Sequence, residues 1–257
     1  MRAVGKRAGN RWASRAVQAA FIIVLVGLWF LGTRYWHISP ILLPNPVNVL
    51  HELTDILKSG EFIGDLQITL TELAVAFSIS STTGITLGYL ISRSQYSIRV
   101  FEPLFAGLYS VPIILFLPLY ILFFGLGPPS KIAIGTTISF FPIILNTIAG
   151  FGYVDRIFIL SARSMGASDF QLFRCVLLPA AFPIILTGLR IGFTVALLSI
   201  LGSETIASLS GLGHRIVQLA EGMDMARMFA YVAFVIAIAL FLNTVTSALA
   251  SRAGGAR

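Results

Sequence analysis

Of the polar side chains of the 257-residue chain that lie within or at the edge of long apolar runs, six are the candidates to meet a solute: Ser110, Ser139, Asn146, Thr194, Ser199 and Glu204. A hydroxyl, amide or carboxyl surrounded by hydrocarbon is costly unless it finds a partner. Residues of these types therefore mark either a path for a polar solute or bonds back to their own helices, which Ser and Thr hydroxyls readily make. Asn146 and Glu204 are the hardest to satisfy locally, and so the stronger candidates. No bond-making constellation accompanies them. Cys175 is the single cysteine, with no Cys or His at metal-binding spacing, and His214 stands alone. The sequence has no Ser/His/Asp, Cys/His or HExxH arrangement and no G-x-x-x-x-G-K-[ST] phosphate loop. The expectation is a chain that is not an enzyme and binds neither metal nor nucleotide itself.

The elements that must position these groups are membrane spans. Hydrophobic residues make up 56% of the chain and charged residues 11%, with a mean hydropathy of +0.88, against about 25% charged residues in soluble domains. Crossing the hydrocarbon core takes about 20 predominantly apolar residues. Six stretches qualify: 17–33, 73–91, 103–124, 132–150, 183–202 and 229–249, nearly free of charge apart from Arg190, which can snorkel to the interface. The whole of 1–257 then reads as one transmembrane domain with a tail at 1–16.

The formal charge of +7 does not point to nucleic acid, because the basic residues fall between the apolar runs instead of forming a stripe. Of the 18 Lys and Arg residues, 13 lie on one side of a six-span topology: Arg2, Lys6, Arg7, Arg11, Arg15, Arg93, Arg99, Arg156, Arg163, Arg174, Arg190, Arg252 and Arg257. The positive-inside rule makes both termini, the 92–102 loop and the 151–182 segment cytoplasmic. The first stretch lacks a small-x-small cleavage site and reads as a retained anchor, with Trp29, Tyr35 and Trp36 as an aromatic belt at the outer interface. Outside, Asn45-Pro46 opens a short helix over 47–58, and 212–225 forms a second interfacial helix. Gly84 with Gly88 and Gly188 with Gly192 are small-xxx-small pairs that let helices approach closely, while Pro112 and Pro118 kink the third span.

The segment 151–182 is too long for a tight connector. Apolar Ile157 and Leu160, with Ser161, Ser164 and Met165, form the face of a helix that stops at Gly166, a residue type suited to the left-handed turn after a C-terminus. Ser168 and Gln171 then have capping-box spacing for a second helix, with Asp169 at its positive end, and Leu178-Pro179 ends that helix. Such a hairpin either rests on the lipid surface or serves as a lever for a cytoplasmic partner.

The residues 160–183 resemble the EAA signature of bacterial ABC-importer permeases, E-A-A, three residues, G, nine residues, I, one residue, L-P. Gly166, Val176, Leu178 and Pro179 fall on its landmarks, while Leu160-Ser161-Ala162 replaces Glu-Ala-Ala. Leu43-Pro44-Asn45-Pro46, Ser130-Lys131-Ile132, Gly188-Leu189-Arg190 and Ser210-Gly211-Leu212-Gly213, among other pieces from residue 40 onward, are similar to the nitrate/sulfonate/taurine-type branch. The resemblance implies an all-α, polytopic membrane fold of the type I importer permease kind, with six transmembrane helices and a coupling hairpin between the fourth and fifth. It implies a permease subunit of an ATP-driven importer for a small organic or inorganic anion, such as a sulfonate, taurine or nitrate, or for a vitamin precursor.

The partners implied are a second permease subunit in a homodimer or heterodimer, two cytoplasmic ATPase subunits that hold ATP and Mg, an extracytoplasmic solute-binding protein, and the lipid bilayer of the bacterial inner membrane. Residues 156–168 are implied as the coupling helix, with Leu160, Ser161, Ala162, Arg163, Met165, Gly166, Ala167 and Ser168 at the ATPase. The Leu160 substitution implies an apolar patch on the partner or an intramolecular role. The alternative is a six-helix secondary transporter or channel acting without an ATPase. That reading calls for ionisable groups in mid-membrane, which the sequence shows only as Arg190.

Overall fold

The computed structural model describes residues 11–35, 39 and 41–254, which are helical with no strand among them. Trp36, the tail cations Arg2, Lys6 and Arg7, and Arg257 lie outside the described residues. The chain falls into two compact units, Met1–Glu61 with Val217–Phe234, and Phe62–Ile216 with Val235–Arg257.

In the first unit, α1 (Arg11–Tyr35) contains the 17–33 run. The Asn45-Pro46 pair starts α2 (Pro46–Ser59) as the sequence predicts: Asn45 Oδ1 accepts from the Val47 amide at 2.9 Å, and Pro46 occupies the first turn, where its missing N–H costs nothing. Trp29 Nε1 donates to the Pro44 carbonyl at 3.1 Å, joining α1 to the start of α2. Glu61 closes the unit by accepting from Arg227 Nη2 at 2.6 Å, from Arg227 Nε at 3.1 Å and from Tyr231 Oη at 3.2 Å.

The second unit is built on α3 (Phe62–Ser92), α6 (Pro128–Gly152) and α9 (Leu178–Ile206), with α6 packed between the other two. Close approach requires the paired glycines. A Cβ at Gly88 would sit 2.7 Å from Thr147 Cβ, and one at Gly192 2.6 Å from Ile143 Cγ1. With no side chain at these positions, the backbones come near enough for α6 to bury Ile143, Ile144 and Ile148 completely.

Among the described residues, four helices are long and apolar enough to cross a membrane: Phe62–Ser92, Pro128–Gly152, Asp169–Ile206 and Met225–Ala248, the last belonging to α11 (Met225–Gly254). A fifth crossing arises if one bent pair counts as a span. That pair corrects the expectation of a single helix over 103–124. The helix α4 (Gln95–Tyr109) ends before Pro112, and a 3-10 turn at Ile113–Phe116 leads into α5 (Leu117–Phe124), at 71° to α4. Pro112 lacks an amide to continue the α4 ladder, and Pro118 sits in the first turn of α5, where it starts a helix instead of kinking one.

Leu178-Pro179 does not end the helix that follows Ser168. The short α8 (Asp169–Leu172), a π turn over Phe173–Leu177 and α9 run on as one helix of 38 residues, Asp169–Ile206. The Leu178 amide reaches back five residues to Phe173 O, so the wider ring resets the register just before Pro179, and the proline falls in the first turn of the next segment.

Candidate functional site

The hairpin begins with α7 (Arg156–Ser164), capped by Asp155 Oδ1 accepting from the Ile157 amide at 2.9 Å. Its end is a Schellman turn. The Ala167 amide donates to Ala162 O and the Gly166 amide to Arg163 O, each at 3.0 Å, while Gly166 takes φ of +80°. One residue later the capping box forms as its spacing predicts: Ser168 N donates to Gln171 Oε1 at 2.9 Å, and Gln171 N to Ser168 Oγ at 3.3 Å. Arg163 adds an ion pair to Asp169 across the turn. Two helices are thus locked together through two short, fully hydrogen-bonded caps.

What this hairpin presents is apolar. Ile157, Phe158, Leu160, Met165 and Phe170 are 65%, 59%, 64%, 87% and 68% exposed, more than a small hairpin leaves open by chance and a mark of an interaction surface. Ser161, Arg163, Gly166 and Ser168 are exposed as well, while Ala162 and Ala167 are half-buried. Leu160, at the place of the signature glutamate, therefore adds to the exposed apolar face. An intramolecular role for it finds no support in the packing.

Behind the hairpin, three rings connect it to the bundle. Tyr89 at the end of α3 lies 5.0 Å from both Phe151 of α6 and Phe173 of the π turn, and Phe151 and Phe173 stack at 6.1 Å. Edge-to-face and offset rings at these separations attract beyond their area burial, so the hairpin is packed onto the ends of α3 and α6.

The six polar residues divide sharply. Ser110 Oγ donates to Gly107 O at 2.6 Å, Ser139 to Gly135 O at 2.7 Å, Thr194 to Arg190 O at 3.0 Å and Ser199 to Val195 O at 2.7 Å. Asn146 Nδ2 donates to Pro142 O at 2.8 Å, and its Cβ lies against Gly188. These five turn back onto their own helices. Glu204 does not. Its carboxylate accepts from Thr69 Oγ1 of α3 and from the Gly213 amide, both at 2.7 Å, while the Leu212 amide donates to Thr69 Oγ1 at 3.0 Å. Glu204 thereby holds the loop between α9 and α10 (Leu212–Glu221) against α3. Gly211 has φ of +103°, and a Cβ at Gly213 would lie 2.6 Å from Leu201 O, so this loop can pass over Glu204 only with glycines there.

Two residues beside Glu204 escape a reading based on apolar runs. Glu72 and Lys131 abut the second and fourth stretches and look like interfacial flanks, but α3 and α6 start ten and three residues earlier, at Phe62 and Pro128, and both side chains are buried. Their signal in the sequence is that each sits at helical spacing within the longer helix.

The sequence matches the family described as "Binding-protein-dependent transport system inner membrane component" over residues 80–253, a stretch that includes the hairpin and α9. The chain belongs to that family. The taurine transport system permease protein TauC of Escherichia coli K12 is 32% identical to this permease over 250 residues, covering 94% of this chain and 91% of TauC. The formylaminopyrimidine transport permease protein ThiX of Halalkalibacterium halodurans is 30% identical over 210 residues, 82% of this chain and 83% of ThiX. Among solved structures, a chain from the inward-facing MetNI methionine ABC transporter superposes with a TM-score of 0.62 at 19% identity, covering 72% of this permease and 93% of that chain. The permease is thus the inner membrane component of a binding-protein-dependent transport system, with the all-helical fold of ABC importer permeases.

Proposed function

We propose that this permease pairs with a second permease subunit, identical or related, to form the translocation pathway of an ABC importer driven by two cytoplasmic ATPase subunits, with ATP and Mg held by those subunits. The observation that carries the reading is the hairpin at 156–168: rigidly capped, apolar on its exposed face, and joined to the bundle through Tyr89, Phe151 and Phe173. The positive-inside count supports a cytoplasmic hairpin with both termini on the same side.

In this reading ATP closes the ATPase pair, and the hairpin follows as one body because its turn cannot unbend without losing both caps. The uninterrupted helix from Asp169 to Ile206 is a strut of 38 residues, about 57 Å at 1.5 Å per residue, and carries the displacement from the hairpin to the Glu204 junction at the other end. The bundle then trades an inward-facing for an outward-facing cavity by population shift. A solute-binding protein delivers cargo from outside. Similarity to TauC over nearly the whole chain supports a small sulfonate such as taurine, and similarity to ThiX makes a pyrimidine precursor the comparison to include in uptake assays.

Met165 is the most exposed apolar residue of the hairpin and tests the docking directly. In a Cys175→Ser background, Met165→Cys should cross-link to the ATPase subunit in membranes, with yield changing on ATP addition. A Met165→Cys chain that never cross-links while the complex remains assembled would remove the hairpin from the interface.

A further inference from the structure

Between the hairpin and the bundle lies a cavity of about 320 Å³, within the size range of small-ligand sites, roughly 300–1,000 Å³. Arg156, Ile159 and Arg163 line it from α7. Spaced by three and four residues, they share one face of that helix, and Ile157 and Phe158 are left to the exposed apolar surface. The cavity is thus behind the hairpin, on its bundle side. Tyr89 of α3, Phe151 of α6 and Phe173 of the π turn give it a wall of rings, and Arg93, one residue past the end of α3, brings a third guanidinium to the lining. Gln95 Nε2 donates to Gly152 O at 3.3 Å and closes the side toward α4.

The charges of this lining do not cancel. Among the described residues Asp169 is its one carboxylate, and Arg163 takes it in the ion pair across the turn. Asp155 precedes Arg156 but is not part of the lining, and its Oδ1 accepts the Ile157 amide. Glu102 also stands outside the cavity, where it accepts from Tyr153 Oη at 2.9 Å. No carboxylate among the described residues pairs with Arg93 or Arg156. Two guanidinium groups without a counter-ion therefore line one concave space, where like charges repel and an anion between them relieves the repulsion. The planar fork of arginine matches the oxygens of phosphate in paired, charge-assisted hydrogen bonds. The position favours phosphate as well. The helices α3 and α6 end here, at Ser92 and Gly152, which sets the arginines at the depth where basic pockets between spans meet phospholipid headgroups. The rings beside them suit a glycerol backbone and the first methylenes of an acyl chain.

We propose that this cavity binds a phosphate-bearing anion, either the headgroup of an anionic phospholipid or free phosphate, with Arg93 and Arg156 holding the phosphate oxygens. Arg163 stays with Asp169 and keeps the turn closed. Bound in this way, the anion ties α7 to the end of α3 and adds an ionic link to the ring contacts that seat the hairpin on the bundle. The site depends neither on the transported solute nor on an ATPase. The cytoplasmic placement of the hairpin enters only in assigning a lipid source to the inner leaflet.

The test uses the full-length permease alone, purified in an uncharged detergent, and follows its melting temperature during two titrations. One adds dioleoylphosphatidylglycerol, with dioleoylphosphatidylcholine as the zwitterionic reference; the other adds inorganic phosphate, with chloride at matched ionic strength as the reference. The wild type is expected to show a saturable rise with phosphatidylglycerol or with phosphate that exceeds the reference. A rise with the lipid alone assigns the headgroup as the source, and an equal rise with inorganic phosphate assigns the free anion. Arg93→Gln with Arg156→Gln removes two charge-assisted contacts and should require at least ~10-fold more ligand. Arg99→Gln with Arg174→Gln removes the same charge from exposed positions outside the cavity and should titrate like the wild type. The proposal is overturned if neither probe gives a saturable rise, if the Arg93 and Arg156 pair can be changed without loss of affinity, or if both double variants lose it equally. Should the Arg93 and Arg156 double variant not fold, Arg156→Gln takes its place, and unchanged affinity in that single variant overturns the proposal.

Discussion

Gly188→Val is expected to prevent the permease from accumulating as a monodisperse folded protein. A Cβ at Gly188 would lie 2.5 Å from Asn146 Cβ and 3.0 Å from the Pro142 carbonyl, and the second of these is backbone that no rotamer change can move. Overpacking a tight core costs ~1–3 kcal/mol and occasionally more. Here the valine must force apart α6 and α9, the most closely packed helices of the second unit, which places the cost at about 3 kcal/mol, a large fraction of a domain's net stability. Thermal unfolding in detergent is the measurement. Gly107→Ala is the matched control, since nothing approaches its Cβ position within 4 Å in α4, and an exposed helical glycine replaced by alanine gains ~0.5–1 kcal/mol. Equal melting temperatures for Gly188→Val and the wild type would show that α6 and α9 do not meet as described.

The second large effect is functional. Gly166→Val should leave the bundle folded but separate ATP hydrolysis from transport. Gly166 has open space around its Cβ position, so the penalty comes solely from φ of +80°. A left-handed conformation costs an ordinary L-residue ~1–2 kcal/mol, and more when the residue is β-branched. A penalty of that size lowers the ratio of closed to open hairpin by about 5–30-fold, and uptake should fall with it. Gly166→Asn, which tolerates the left-handed region, should retain most uptake. Arg163→Ala should also lose little, because the Arg163–Asp169 pair is solvent-facing and such pairs contribute at most ~1 kcal/mol. If Gly166→Val transports as well as Gly166→Asn, the shape of the turn is irrelevant to coupling.

The hairpin was legible because its signals are local. Gly166, Ser168 and Gln171 each act within four residues of sequence, and caps of this kind depend little on the rest of the fold, whereas the Asp155 cap emerged only in the structure. The glycine pairs were legible for a related reason, since spacing of four places both on one helix face. The breaks were not. Pro112 separates two helices at 71°, whereas Pro179 is absorbed into a continuous one behind a π turn that no composition rule predicts. Glu72 was missed because a charge next to an apolar run looks like a flank until the helix is seen to begin ten residues earlier. Glu204 stood out as a polar group at the membrane edge, but its partners Thr69 and Gly213 come from distant parts of the sequence or a folded loop, and a single sequence does not pair them.

Of the six polar residues considered for a solute path, five satisfy their hydrogen bonds within their own helices. A hydroxyl bonded to the carbonyl four residues back still has lone pairs for a passing solute, but it places no fixed demand on that solute's charge. This fits a division of labour in which a binding protein selects and the permease conducts.

We propose that this chain transports only when an ATPase drives its hairpin. Uptake of labelled taurine should be measured in proteoliposomes holding the permease with its ATPase subunits and binding protein, alongside ATP turnover, with the permease alone as the reference. Uptake should require ATP and the ATPase, and turnover should persist in Gly166→Val while uptake falls about 5–30-fold. Uptake of equal rate by the permease alone, driven by an ion gradient and indifferent to ATP, would contradict it.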